Sequence, residues 1–375
     1  MNRIRVFDYL AQYHELQDEV LAAVRRVLDS GSLILGPEVA AFEREFAAFL
    51  GPGMHGVGVA NGTDAIALIL RALGIGRGDE VITVANTAVP TVSAIREAGA
   101  TPVFCDVDPD TCLIDLALLP QCLTPDTKAV IPVHLFGNVV DVPRLRALLD
   151  AADRADVKIV EDCAQCHGGA LQTADGERSA GTFGDASAWS FYPTKNLGAY
   201  GDGGLCAVRD EALAATLRSI RMYGFEQHYY AEREGANSRL DELQAAILRV
   251  KLRHLPRHVA RRRELACLYS GALPKTVTPV RPAPDSKHAY HLFVVRTPDR
   301  DWLRQALQDR GIGTGVHYPH AIHLMRGYAF LGFAPGSLPV TERLAGEVLS
   351  LPLYPELSDD DARAVAAAIT ELTDG

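Results

Sequence analysis

The chain has 375 residues, of which 48% are hydrophobic and 22% are charged, and its formal net charge is −10 at pH 7. This length favours two domains, and the acidic charge argues against a nucleic acid or an anionic membrane surface as partner. No stretch approaches the roughly 20 consecutive apolar residues that cross a bilayer, so we expect no membrane partner. The first eight residues contain no long apolar run, and the odd number of seven cysteines fits reduced thiols. We therefore expect a cytoplasmic protein without a signal peptide.

Short β-rich runs alternate with helical patterns from residue 55 to about residue 210. The runs are apolar without strict alternation, which indicates strands covered on both faces, as in a parallel sheet. The predicted strands are 81–84, 102–105, 129–133, 157–160 and 204–208. The predicted helices between them include 63–73, which is apolar on nearly all sides, and 142–152. This alternation predicts an α/β domain.

A further helix is predicted over 238–253, because Ser238 and Asp241 have the spacing of a capping box and apolar residues follow at helical spacing. Beyond it we predict a strand over 290–295, a helix over 302–310 and a final helix from about 359 to 372. The fold class is therefore a three-layer α/β fold with a mainly parallel sheet, followed by a smaller α+β domain. We divide the chain into a large domain, 1–255, which includes the N-terminal segment, and a small domain, 256–375.

The segment Asn61-Gly62-Thr63-Asp64 precedes the apolar helix. A helix N-terminus offers free N–H groups and a partial positive charge, so a phosphate can bind there. Glycine allows a close approach to the backbone, and threonine adds a hydroxyl group. Taken alone, such a turn is more often only a helix cap, with Asn61 or Thr63 near the N-cap position.

Asp162 falls at the carboxyl end of a predicted strand, where α/β sheets place groups that contact ligands. Its carboxylate would hold a protonated ring nitrogen, or it would only cap the next helix. Cys163 and Cys166 have the spacing of a redox pair, but nothing else around them has a redox signature.

Lys195 is the single lysine in a segment, 185–198, that reads as a strand followed by a turn containing proline. A lysine held in a closed site loses its proton more easily and becomes a nucleophile. Ser190, at the end of the same strand, would bind a phosphate oxygen. An isolated lysine is normally a solvated surface charge, so the assignment depends on the surrounding pattern.

Three histidines, His317, His320 and His323, recur at intervals of three residues and suggest a metal site. However, no Asp, Glu or Cys lies between them, and Pro319 breaks any helix that would align the rings. We predict a loop that lines the substrate site, and no metal.

These segments together resemble the DegT/DnrJ/StrS family of sugar aminotransferases, which depend on pyridoxal 5'-phosphate (PLP) and have fold type I of the aspartate aminotransferase superfamily. The resemblance runs over nearly the whole chain. Seven ordered motifs carry it, at residues 61–65, 160–165, 181–185, 190–198, 235–242, 311–319 and 350–355.

The resemblance implies that Lys195 forms the Schiff base with PLP and that Asp162 contacts the pyridine nitrogen. It also implies the remaining cofactor contacts: Gly62, Thr63 and Ser190 to the phosphate, and Gln165 to the ring hydroxyl.

Asn237 matches a phosphate contact that this family takes from the neighbouring subunit, which implies a homodimer with shared active sites. Tyr318 lies where the family contacts its nucleotide-sugar. We assign His317 and His320, from the same loop, to substrate binding as well.

The activity that the resemblance implies is transfer of an amino group from an amino acid, expected to be glutamate, to a keto-sugar carried by a nucleotide, for amino-sugar biosynthesis. Family dehydratases have histidine in place of the lysine, so Lys195 argues against dehydration. A keto-cyclitol substrate and a non-catalytic PLP-binding protein remain as alternatives, although the chain has no room for the partner module that the second would need.

Two positions depart from the family pattern. Ala88 stands where family members often place an aromatic ring against the cofactor, so another group must cover that face or it is left open for substrate. Ala321 stands where the family usually has proline, which affects the shape of the sugar pocket.

Overall fold

The structure is a computed structural model that describes residues 4–227 and 229–373. Its helices are α1 (Tyr9–Ser30), α2 (Pro37–Leu50), α3 (Gly62–Ala72), α4 (Val89–Glu97), α5 (Leu119–Cys122), α6 (Val142–Ala151), α7 (Glu211–Ile220), α8 (Glu242–Ala272), α9 (Arg300–Asp309), α10 (Pro339–Glu347) and α11 (Asp359–Thr373). Short 3₁₀ segments occur at Leu135–Gly137, Ile322–Leu324 and Arg326–Leu331.

The strands are β1 (His55–Val59), β2 (Glu80–Val84), β3 (Thr101–Cys105), β4 (Thr127–Val130), β5 (Lys158–Asp162), β6 (Ala170–Thr173), β7 (Gly176–Ser179), β8 (Ala186–Ser190), β9 (Gly204–Val208), β10 (Phe225–Gln227), β11 (Tyr230–Ala231), β12 (Thr278–Pro279), β13 (Ser286–Lys287), β14 (Phe293–Arg296) and β15 (Val348–Leu351).

Seven strands form the central sheet, in the order β1-β9-β8-β5-β4-β2-β3. From β8 to β3 every neighbouring pair is parallel, which confirms the predicted mainly parallel sheet. The prediction that β9 belongs to the parallel set is wrong, because β9 runs antiparallel to both β1 and β8. The chain goes from β8 to β9 through a loop without a crossover helix, and only an antiparallel neighbour is reached that way.

Helices cover both faces of this sheet. The predicted apolar helix is α3, whose residues from Ala65 to Leu70 are all buried against the strands and against α7. On the opposite face, α2 and α8 pack Phe42, Phe46 and Leu248 against β8 and β9. This burial on both sides explains why the strands read as continuous apolar runs.

The predicted capping box at Ser238 is wrong, because α8 begins at Glu242 with Asp241 at the N-cap position and no side-chain cap. Ser238 is buried and bonds elsewhere: its Oγ donates to Asp64 and accepts from the N–H of Ala60. The helix also extends far beyond the predicted end and contains Pro256. Apolar packing continues on both sides of the proline, which outweighs the one backbone hydrogen bond that it removes.

A second sheet, β12-β14-β15, packs with α9 and α11 in the C-terminal part of the chain. Its central strand begins at Phe293 and not at Tyr290, because Tyr290 has a φ of 46°, outside the extended region. Helix α8 crosses residue 255 and contributes Leu255 to the core around the large sheet and Leu265 to the C-terminal core. The domain division at that residue stays a prediction.

None of the helices in the described part of the chain has the length and hydropathy that a bilayer crossing requires.

Candidate active site

A cavity of about 530 Å³ opens at the carboxyl ends of the parallel strands, beside the N-terminus of α3. This is the edge at which α/β sheets bind ligands. Six of the predicted site residues line it: Gly62, Thr63, Asp162, Gln165, Ser190 and Lys195. Ala88, which stands where family members often place an aromatic ring, lines it as well, and Tyr192 is the aromatic residue among the described lining residues.

The N-terminus of α3 forms one end of the cavity. Asn61 is the N-cap residue, and its side chain accepts a hydrogen bond from the N–H of Asp64. The N–H groups of Gly62 and Thr63 have no acceptor within the helix, and both residues line the cavity. A Cβ at Gly62 would lie 2.7 Å from Cβ of Ser190, so glycine allows the helix end and the end of β8 to meet. Together they form an anion-binding corner.

Asp162 is the last residue of β5 and is 4% exposed. Its Oδ2 accepts a hydrogen bond from Oγ1 of Thr91 at 2.8 Å, and its Oδ1 accepts one from the N–H of Ala164 at 3.1 Å. The helix-cap alternative for Asp162 is wrong, since turns and not a helix follow this strand in the described chain. The two hydrogen bonds fix the carboxylate toward the cavity.

Lys195 lies on the loop that follows β8. The loop is closed by hydrogen bonds from the N–H of Lys195 to the carbonyl of Tyr192, 2.8 Å, and from the N–H of Ala199 to the carbonyl of Phe191, 2.7 Å. Burial lowers the pKa of the Lys195 amine to about 8, and the nearby Asp162 carboxylate opposes that shift. The unprotonated, nucleophilic amine is therefore more populated near neutral pH than in an exposed lysine.

Gln165 connects the cavity to the C-terminal part of the chain. Its Oε1 accepts a hydrogen bond from the N–H of Phe136 at 2.7 Å, and its Nε2 donates one to the hydroxyl of Tyr318 at 3.0 Å. Burial raises the pKa of Tyr318 to about 12, and the Gln165 hydrogen bond partly opposes this. Tyr318 is thus held as a neutral phenol beside the cavity.

The three histidines of the 317–323 segment separate in the structure. His317 pairs its Nδ1 with Oγ of Ser350 at 2.8 Å, and burial, together with the charge of Lys195, lowers its pKa to about 4. His320 is exposed, whereas His323 is buried and contacts Glu342 at 3.1 Å. Neither cluster of metal-type side chains in the described residues includes any of the three.

Asn237 is exposed and is not among the cavity-lining residues of its own chain. The structure therefore does not bring it to the site within one subunit.

Cys163 and Cys166 are buried free thiols. Burial is the main cause that raises the pKa of both thiols far above the ordinary range, so the reactive thiolate is disfavoured. The redox alternative gains no support from this environment.

Thr91 is a site residue that the sequence patterns do not indicate. It lies in the first turn of α4 and donates to Asp162. The only signal in the sequence is its position directly after Pro90, which falls at the start of α4. Two carboxylates, Asp64 and Asp202, also line the cavity and were not assigned.

PLP contains a phosphate, an aldehyde and a pyridine nitrogen, and the cavity offers a group for each. The corner at Gly62 and Ser190 suits the phosphate, the amine of Lys195 suits the aldehyde, and the fixed carboxylate of Asp162 suits the protonated nitrogen. A Cβ at Gly62 would collide with Ser190, so only glycine lets the two sides of the phosphate corner come this close. The residues present therefore fit the cofactor.

Comparison with known proteins agrees with this geometry. A model of the DegT/DnrJ/EryC1/StrS aminotransferase family matches residues 14–370. The dTDP-3-amino-3,4,6-trideoxy-alpha-D-glucose transaminase of Micromonospora megalomicea subsp. nigra is 49% identical over 378 residues, which cover 99% of each chain.

Two crystal structures have nearly the same fold. S. venezuelae DesV, in complex with a ketimine intermediate, superposes with a TM-score of 0.95 at 44% identity and covers 100% of both chains. Bacillus subtilis NtdA, with bound cofactor PMP, superposes with a TM-score of 0.90 at 28% identity, covering 100% of this chain and 86% of that one. The chain therefore belongs to the DegT/DnrJ/EryC1/StrS aminotransferase family and is a PLP-dependent aminotransferase.

Proposed function

We propose that this aminotransferase moves an amino group from glutamate to a keto-sugar linked to a nucleotide, for amino-sugar biosynthesis. The observation that supports it most is that the amine of Lys195 and the fixed carboxylate of Asp162 line one cavity with a phosphate-binding helix end. The substrate class is supported by the relative at 49% identity, which is named as a dTDP-sugar transaminase.

PLP, when bound, accepts the electron pair that is left when a proton leaves the carbon next to the amino group. Lys195 is then the proposed base and acid. Its amine takes that proton from the amino donor and, in the second half of the reaction, returns a proton to the carbon of the acceptor that receives the amino group. Its lowered pKa suits both directions near neutral pH. Asp162 keeps a positive charge on the ring nitrogen, and its contacts with Thr91 and Ala164 hold it in place.

The sugar side of the site is assigned to Tyr318, His317 and His320. Tyr318 is oriented by Gln165 at the cavity, and His317 is neutral and fixed by Ser350. Tyr318 and His317 donate and accept hydrogen bonds without adding charge, which suits the hydroxyl and keto groups of a sugar. The small side chain of Ala88 leaves room at the cavity wall for the substrate.

A substrate panel tests this proposal. Purified enzyme with PLP and glutamate is expected to form 2-oxoglutarate when a dTDP- or UDP-linked 3-keto or 4-keto sugar is supplied. The same panel contains keto-cyclitols, which carry no nucleotide. Turnover with cyclitols alone, or no turnover with any nucleotide-linked acceptor, would contradict the nucleotide-sugar assignment.

Shared active sites in a homodimer are part of the proposal. Among the described residues that line the cavity, Lys195 is the one cation, while Asp64 and Asp202 bring negative charge. A dianionic phosphate bound there would be stabilised by a further hydrogen-bond donor, and the exposed Asn237 is available to the partner subunit. We assign the fourth phosphate contact to Asn237 of the partner subunit.

Mixing two impaired variants tests shared sites. Asn237→Asp places a carboxylate beside the phosphate and is expected to weaken PLP binding, and Lys195→Ala removes the amine. In a mixed dimer one site takes both intact residues and the other takes both defects. Random pairing makes half of the dimers mixed, so about a quarter of all sites should regain activity.

Each variant alone, after the same unfolding and reassociation, is the control for this mixture. If mass spectrometry shows that chains have exchanged and activity stays at the level of the controls, Asn237 serves its own chain and the shared-site arrangement is excluded.

A cytoplasmic location is proposed as well, and it is supported by the seven cysteines, all of which lie in described residues as free thiols.

A further inference from the structure

Helix α8 carries a buried lysine, Lys251, beside the loop that carries Lys195. Lys251 is 2% exposed, and its Nζ donates a hydrogen bond to the carbonyl oxygen of Gly198. The same ammonium group lies over the ring of Tyr200, 5.1 Å from the ring centroid. Both contacts are made to the segment that follows Lys195, so this cation is bound to the loop and not to water.

The position of Gly198 is coupled to that of Lys195. A Cβ at Gly198 would lie 2.4 Å from the carbonyl oxygen of Pro193, so the loop closes tightly on itself at this residue. The N–H of Ala199 continues the closure with its hydrogen bond to Phe191. A shift of the Gly198 carbonyl therefore moves the backbone from which the Lys195 side chain extends.

Two other side chains hold the same loop. Gln244, two turns before Lys251 on α8, accepts from the N–H of Tyr200 at 2.8 Å and donates to its carbonyl at 3.3 Å. Asn196 donates to the carbonyl of Ala289 at 3.0 Å. Lys251 is the ionisable member of this set, and in its protonated form its hydrogen bond to Gly198 is charge-assisted and stronger than a neutral one.

Burial of an ammonium group costs free energy that an apolar residue at the same place would avoid. Burial lowers the pKa of Lys251 to about 7, with the charge of Glu356 opposing the shift and that of Arg262 adding to it. A methionine would fill the space without that cost. The lysine is therefore better explained by its contact with Gly198 than by packing.

We propose that Lys251 is a positioning residue that holds the Gly198 carbonyl and thereby fixes the loop from which Lys195 reaches the cavity. The proposal rests on the assignment of Lys195 as the cofactor lysine. Lys251 is not among the described cavity-lining residues, so it acts through the loop and not on the substrate.

Hydrogen exchange of the apoenzyme tests this directly. In Lys251→Met, the amides of residues 192–200 are expected to exchange about tenfold faster or more, because the closed loop opens more often. Covalent capture of added PLP, trapped with borohydride at successive times, should slow in parallel. Lys251→Arg keeps a cation that can donate to Gly198 and should restore both rates toward wild type.

Arg253→Met is the matched control, because Arg253 lies on the same helix but is exposed and pairs with Glu19. It should behave as wild type in both measurements. If Lys251→Met does not fold, Lys251→Gln, which removes the charge but keeps a polar group, is measured in the same way.

The proposal is overturned if exchange over 192–200 is unchanged, or if it rises equally in β1 and β2, since a uniform rise marks a general stability defect. Its failure is distinct from failure of the proposed function. A reduced wild type labelled on a lysine other than Lys195 defeats the functional assignment, whereas label on Lys195 with unchanged exchange defeats only the role of Lys251.

Discussion

The Lys195→Ala variant is expected to lose amino transfer, with kcat lower by about a thousandfold or more. The variant lacks the amine that binds the cofactor covalently and the group that moves the proton. The phosphate corner at Gly62 and Ser190 is untouched, so PLP should still bind without a covalent bond. The variant should show a normal thermal unfolding transition. Added PLP should dialyse away slowly, and reduction with borohydride should leave no stable label on the protein.

Lys275→Ala is the control for this change, because Lys275 is exposed and outside the described cavity lining. It should keep full turnover. Added small primary amines enter the space left by the shortened side chain and are expected to restore part of the lost rate in Lys195→Ala. Turnover of Lys195→Ala within tenfold of wild type would show that another group carries the proton.

The Asp162→Asn variant is expected to fold normally and to lose about a hundredfold or more in kcat, a loss of about 3 kcal/mol in transition-state stabilisation. An amide cannot balance a positive charge on the ring nitrogen. The amide oxygen of asparagine can still accept from the N–H of Ala164, and its NH2 group can donate to the hydroxyl of Thr91, which can turn its own proton toward Thr87. The side chain should therefore keep its place, and the loss should be mainly electrostatic. Steady-state kinetics with a saturating acceptor measure the loss in kcat, and a thermal melt shows whether the fold is affected.

Two companion variants make this prediction specific. Asp141→Asn makes the same exchange at the N-cap of α6, where asparagine is an equally good cap, and should leave turnover unchanged. Thr91→Val removes one of the two hydrogen bonds to the carboxylate and should lose less activity than Asp162→Asn. A near-normal rate in Asp162→Asn would show that Asp162 does not act on the ring nitrogen and only shapes the turn after β5.

Several residues at the site were predictable because each sits where local structure places ligand-contacting groups. Gly62 begins a helix, Asp162 ends a parallel strand, and Lys195 follows a strand within a glycine-rich turn. These positions come together at one sheet edge once the strands are parallel. The family resemblance then supplied the roles, which local patterns alone did not.

Contacts between distant segments were not predictable. The hydrogen bond from Thr91 to Asp162 depends on where α4 packs, which the sequence around Thr91 does not show. Lys251 reads as a solvated lysine on a helix, and only its burial beside Gly198 shows another role. Ser238 has a capping pattern, but a buried contact with Asp64 uses its hydroxyl instead. In each case tertiary packing overrides a local preference.

The most direct measurement is the location of the covalent cofactor. Wild-type enzyme loaded with PLP is reduced with borohydride and digested, and the peptides are sequenced by mass spectrometry. We predict one pyridoxyl label, on Lys195, in a peptide from the 190–198 segment. A label on another lysine, such as the buried Lys251, or no reducible label in a protein that retains PLP, would contradict the assignment of this cavity as the active site.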